Sequence, residues 1–159
     1  MERQLVHIES FLVAGVTTRT INTDEVDRNT IEVPETAKIP GLWASFREKG
    51  LSQGLASVIG SERIFAVYSE YESDDSGFYD ATVGVQVDTE NLQSHTVRVL
   101  NGWYMVFSGE GPMPLTMYRI WSDIWDYFRS NSHVRRNFQT DFEEYSGSCH
   151  VRIYVGVET

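Results

Sequence analysis

The chain has 159 residues, 41% of them hydrophobic and 13% aromatic, enough for one domain with a sizeable core. Its 13 Lys and Arg against 23 Asp and Glu give a formal net charge of −10 at pH 7, a field that repels phosphate backbones and anionic membrane surfaces. Direct nucleic-acid binding and membrane attachment are therefore not expected, and no apolar run approaches the ~20 residues of a membrane helix.

Residues 5–18, "LVHIESFLVAGVTT", read as one strand, β-branched and partly alternating, with Gly15 allowing a bulge. "INTDEVDRNTIEVPETAK" follows as a polar connector rich in acids. Ile39, Leu42, Trp43 and Phe46 recur at three- and four-residue spacing and predict a helix from Ile39 to about Leu51. "KGLSQGLASVIGSE" loosens the chain with glycines. "RIFAVYSEY" and "FYDATVGVQVD" are predicted strands around "ESDDSG", a turn by its Asp, Ser and Gly content.

"HTVRVLNGWYMVFSG" reads as a long strand, or one bent near Gly102, and "EGPMP" closes it. Met117, Ile120, Trp121, Ile124 and Phe128 form a second helical stripe over 115–130. "FQTDFEEY" and "HVRIYVGVE" are the last two strands, around "SGSC".

The order strand, helix, strand, strand thus occurs twice. "LWASFREK" (42–49) sets beside "IWDYFRSN" (124–131), "YSEY" (68–71) beside "FEEY" (142–145), and Val83-Gly84-Val85 beside Val155-Gly156-Val157. This predicts an α+β fold of duplicated βαββ units, about 1–90 and 91–159. The two would form one antiparallel sheet with two helices in a single domain spanning 1–159. Clefts between such halves are natural ligand sites.

The chemistry of sites is sparse. His7, His95, His133 and His150 are dispersed without zinc-site spacing. Cys149 and His150, taken as strand neighbours, face opposite sides and make neither a ligand pair nor a dyad. "SDDSG" lacks the length and terminal Glu of a calcium loop, and no phosphate-binding Gly loop or nucleophile elbow is present. No metal or cofactor is expected. Cys149 is the only cysteine, which fits a reducing, cytoplasmic setting.

The acids of "DFEEY" are the exception. On a strand Glu143 shares a face with Tyr145, while Glu144 points the other way with Phe142. Spacing alone leaves two readings of Glu143 open: an exposed acid beside a cation such as Arg152, or the floor of a pocket.

Taken with "IPGLWASF", "VYSEYESDDSGFYDATVG", "GWYMVFSGEGP" and the final "VRIYVGV", these residues resemble the gyrase-inhibitor-like (GyrI-like) family over almost the whole chain. That family comprises effector-binding domains of AraC- and MerR-type multidrug regulators and free-standing proteins, with the duplicated βαββ (SHS2-like) fold. The resemblance carries its aromatic-Glu-x-Tyr acid onto Glu143, set under rings that receive lipophilic cations. It implies a central ligand cleft with Glu143 as charge partner and with Tyr145, Tyr79, Tyr71, Trp43, Trp121 and Trp125 as walls. On the same alignment Ser69 stands where Glu143 stands, so one half alone supplies the charge. Trp121 and Trp125, four apart, are expected to form one wall. Both helices are used by the repeat, leaving no helix-turn-helix and no DNA contact of the chain's own.

The resemblance implies a free-standing binder of amphipathic, cationic organic molecules, monomeric or weakly dimeric, with no catalytic residue assigned. Two other readings come with it. One is a hydrolase of reactive small molecules that uses Glu143 as general base. The other is an acidic inhibitor of a protein partner such as DNA gyrase.

Overall fold

The computed structural model describes residues 3–52, 63–89 and 94–158. Its elements are β1 (Arg3–Ile8), β2 (Phe11–Ile21), α1 (Asn22–Glu25), α2 (Ile39–Ser52), β3 (Arg63–Ser69), β4 (Phe78–Val87), β5 (His95–Val99), β6 (Gly102–Glu110), α3 (Leu115–Ser130), β7 (Arg136–Ser146) and β8 (His150–Val157). The fold is α+β, with one eight-stranded antiparallel sheet in the order β1-β6-β8-β7-β3-β4-β2-β5. Most of the glycine-rich stretch after α2 lies outside the described residues.

Exchanging β1 with β5, β2 with β6, β3 with β7 and β4 with β8 reverses this order onto itself, which is the signature of a twofold-related duplication. The pseudo-axis falls between β3 and β7. The predicted single strand over 5–18 is two strands, broken at Glu9-Ser10, and the stretch from His95 breaks likewise at Leu100-Asn101. Each short first strand pairs with the long strand of the other half: β1 with β6, and β5 with β2.

This exchange bends the sheet. β1 and β2 stand six strand steps apart, about 29 Å across a flat sheet. The two residues that join them reach at most about 11 Å between flanking Cα atoms. The sheet must therefore curl until its ends approach. One face of the sheet holds a core of its own, in which Phe65, Val67 and Phe142 pack with Val13 and Val99, and Val6, Ile8 and Val97 pack against it.

The helices lie on the opposite face, α2 against β2 and β4 and α3 against β6 and β8. Strand alternation sends Tyr79, Ala81, Val83 and Val85 of β4 and Val151, Ile153 and Val155 of β8 to this face. Since each helix covers the outer strands of its own half, the central β3–β7 pair lies beneath the gap between them.

Alternation also overturns the alignment of Ser69 with Glu143. Tyr68 points to the helical face and bonds Glu143, so Ser69 points away; the residue paired across the strands with Glu143 is Ala66. The charge is still confined to one half.

The Val-Gly-Val matches mark a steric need at Gly84. A Cβ there would lie 2.0 Å from the Ala14 carbonyl oxygen of β2, and backbone cannot swing aside as a side chain can. Gly84→Ala is expected to lower stability by at least the ~1–3 kcal/mol of an overpacked core, read as a lower urea midpoint.

Candidate functional site

Between α1, the first turn of α2 and α3 lies a cavity with about 520 Å³ of space between atoms, counting its open mouth. Tyr68, Tyr71 and Tyr79 form its sheet side, and Met117, Tyr118, Trp121 and Trp125 its α3 side. Their placement follows from the helix period: positions 117, 118, 121 and 125 fall on one stripe of α3. The two indoles form the expected wall, with centroids 6.1 Å apart at 32°.

Glu143 is fully buried directly behind this wall. Its Oε2 accepts from the Tyr68 hydroxyl at 2.7 Å and from Trp121 Nε1 at 2.7 Å, and its Oε1 accepts from the Tyr145 hydroxyl at 2.6 Å. Burial pushes the carboxyl above its ordinary pKa, while the three hydrogen bonds pull it back. The same burial, reinforced by Glu143, raises Tyr68 and Tyr145 well above the usual phenol value. Their hydroxyls are thus held as donors.

The three acids of β7 are handled differently. Asp141 accepts from Arg136 at 2.7 Å and from the Gly156 backbone N–H at 2.8 Å, with Tyr71 as a third donor. Glu144, on the other face, pairs with Arg63 at 2.8 Å and Arg152 at 4.0 Å, so the cation expected beside Glu143 belongs to its neighbour. Glu143 has no Lys, Arg or His partner among the described residues. A buried carboxylate served by neutral donors alone is an uncompensated charge.

Of the predicted residues, Tyr71, Tyr79, Trp121 and Trp125 line the cavity. Glu143 touches it through Tyr68 and Trp121. Tyr145 and Trp43 stand together, edge to face at 5.0 Å, and bear on Glu143 through the Tyr145 hydroxyl without lining the cavity. Tyr68, Tyr118, Arg136 and Glu25 are lining residues that sequence reasoning passed over.

Glu25 is the largest of these omissions. Read as part of a polar connector, it is 2% exposed, and its carboxylate accepts from the backbone N–H groups of Lys38 and Ile39 at the start of α2 and from Thr20. It caps a helix that begins fourteen residues later, satisfying donors with no intrahelical partner. Tyr79 and Tyr118 lie under the influence of both Glu25 and Glu143; burial first, then these charges, raises Tyr118 to about 12. Glu25→Ala is expected to cost about 2 kcal/mol, the upper end for a lost cap, measured by chemical denaturation.

Cys149 and His150 also differ from expectation. Cys149 lies in the turn before β8 and not on a strand, so the alternation rule does not apply. Its sulfur, a His150 ring nitrogen and a Glu110 carboxylate oxygen lie within 4.8 Å of one another. None of the three lines the aromatic cavity. Among the described residues no helix is long and apolar enough to cross a membrane.

The family described as Cass2, integron-associated effector binding protein, matches residues 4–157. The chain belongs to this family. It is 31% identical to an integron cassette protein from the mobile metagenome of Vibrio cholerae, with a TM-score of 0.79, covering 98% of this chain and 95% of that one. It is 27% identical to YobU of Bacillus subtilis (strain 168), which carries the provisional name of a transcriptional regulator, over 97% of this chain and 96% of that protein. At 17% identity and a TM-score of 0.70 it shares the fold of SAV2435, solved bound to tetraphenylphosphonium, over 99% of this chain and 94% of that one.

Proposed function

We propose that this effector-binding protein captures lipophilic organic cations in the aromatic cavity, with Glu143 as the counter-charge. The observation that carries the reading is the fully buried Glu143 carboxylate, held by Tyr68, Trp121 and Tyr145 and lacking a cationic partner among the described residues. A bound cation supplies the missing charge. At a separation of about 5 Å and an effective dielectric of ~20, the attraction is worth about 3 kcal/mol. Ring faces add cation–π attraction and apolar area. The cation bound by SAV2435, a relative in fold, belongs to the same chemical class.

Space sets a condition. Only about 50 Å³ of the cavity admits the centre of a water-sized sphere, room for a few waters. A large aromatic cation therefore enters by parting the rings, and Trp125 is the mobile candidate because its indole N–H makes no hydrogen bond among the described residues. Trp121 is fixed to Glu143. Titration with tetraphenylphosphonium and its neutral isostere tetraphenylmethane derivatives, followed by tryptophan fluorescence, tests the reading. Saturable quenching by the cation alone supports it; equal quenching by both, or by neither, overturns it.

A further inference from the structure

The cavity continues outward. Beyond Trp125 and Arg136 lies a second, open hollow, about 1100 Å³ when the solvent at its mouth is counted, and those two residues line both spaces. They form the neck, with the Arg28 guanidinium 4.4 Å over the Trp125 ring and Asp75 joined to Arg28 at 3.2 Å. Four arginines line the outer hollow, Arg28, Arg129, Arg135 and Arg136, against two acids, Asp75 and Glu158. Three of these cations already pair with an acid, Arg28 with Asp75, Arg129 with Asp126 at 3.2 Å and Arg136 with Asp141, which leaves Arg135 as the arginine of the hollow outside any ion pair among the described residues.

The neck holds the two orphaned donors of the described structure. Trp125 Nε1 and Arg136 Nε are buried and have no hydrogen-bond partner among the described residues. Buried donors are almost always paired, and an unpaired one is a place where an acceptor belongs. The rest of the Arg136 guanidinium is engaged by Asp141 and, at 3.9 Å, by Asp75. The Arg135 side chain, exposed on the outer hollow, has no partner among the described residues.

We infer that the preferred ligand is bipolar: an aromatic cation whose positive end lies toward Glu143 and whose other end carries an anionic or strongly accepting oxygen group, received at the neck by Trp125 and Arg136 and in the outer hollow by Arg135. The inference rests on the cation reading of the inner cavity and adds the second pole. The two ends of the site have opposite character: carboxylates without a cation inside, and guanidinium and indole donors without an acceptor at the neck. A molecule that joins both poles satisfies both at once, whereas a simple cation leaves the neck donors unpaired.

Three ligands of one shape separate the possibilities in calorimetric titrations of the whole protein. They are para-butylphenyl-trimethylammonium, the same cation with the butyl tail ending in a carboxylate, and the carboxylate-tailed compound with a tert-butyl group in place of trimethylammonium. The carboxylate-tailed cation is expected to bind about ten- to a hundredfold tighter than the butyl cation, the usual worth of hydrogen bonds to a charged group. That ratio should shrink in Trp125→Phe, which keeps a ring and removes the N–H, and in Arg135→Gln, an exposed change with little bearing on folding. Equal affinity of the two cations overturns the bipolar ligand and leaves the cation site standing. If neither cation binds, the cation site itself falls. A tert-butyl carboxylate that binds as tightly as the bipolar compound overturns the inference, because the positive end then contributes nothing.

Discussion

Glu143→Gln is expected to weaken binding of an aromatic cation by about 2–5 kcal/mol, roughly thirtyfold to several thousandfold, while leaving the fold intact. The glutamine carbonyl can occupy the position of Oε2 and accept from Tyr68 and Trp121, and its amide can donate to the Tyr145 oxygen after that hydroxyl rotates. The Tyr145 hydroxyl hydrogen and one amide hydrogen lose an acceptor, which offsets part of the gain from no longer burying a charge. The pH dependence has a definite sign. Burial raises the Glu143 pKa above its ordinary 4.5, so in the window upward from 4.5 the native protein retains a proton that the unfolded chain has lost. The stability contributed by that proton is full below the unfolded pKa and is lost as pH rises through the folded one. Thermal unfolding of the wild type should therefore weaken across this window relative to the variant. Cation affinity should do the reverse, increasing with pH as the carboxylate ionises and releasing a proton on binding. Calorimetry in buffers of different ionisation enthalpy reads that proton directly. Wild-type affinity in the variant, with no difference in pH profile, would remove Glu143 from the ligand.

How far the site was legible depends on whether a side chain's neighbours were local. The two helical stripes and the parity that separates Glu143 from Glu144 follow from periods of 3.6 and 2, and both are present in the structure. Alignment by letters failed at Ser69 because it matched residue types and ignored which face each strand position presents. The breaks at Glu9-Ser10 and Leu100-Asn101 divide strands that pair with the opposite half of the chain. Ser10 and Gly102 are residues that turns favour, but one such residue does not distinguish a change of pairing partner from a bend or bulge within a single strand. Glu25 sits among other acids in a connector, and nothing near it in sequence distinguishes the one that folds inward to cap α2. Arg136 and Asp141 are five apart, so in a regular strand they would face opposite sides. A register shift between them and a φ of 52° at Phe138 bring them to one side. Sequence periodicity cannot supply that meeting, since a bulge is the place where periodicity breaks.

Arg136→Met tests what that bulge achieves. The substitution keeps much of the side chain's length against Phe138, whose ring lies 4.5 Å from the guanidinium, and removes the cation from a pair that is 6% exposed on one side and 0% on the other. Asp141 would keep Tyr71 and the Gly156 N–H but no counter-charge. Breaking a buried pair from one side costs about 3–5 kcal/mol, because the remaining charge stays desolvated. Arg19→Ala provides the contrast: its pair with Asp80 is also short, at 3.0 Å, but 46% and 26% exposed, and such pairs are worth at most about 1 kcal/mol. Urea unfolding should place the two variants several kcal/mol apart. Adding Asp141→Asn to Arg136→Met should restore part of the loss by removing the stranded charge, which separates an electrostatic cause from lost packing. If Arg136→Met unfolds within about 1 kcal/mol of the wild type, the buried pair does not anchor the bend in β7. The neck between the two hollows would then owe its shape to Arg28 and Asp75.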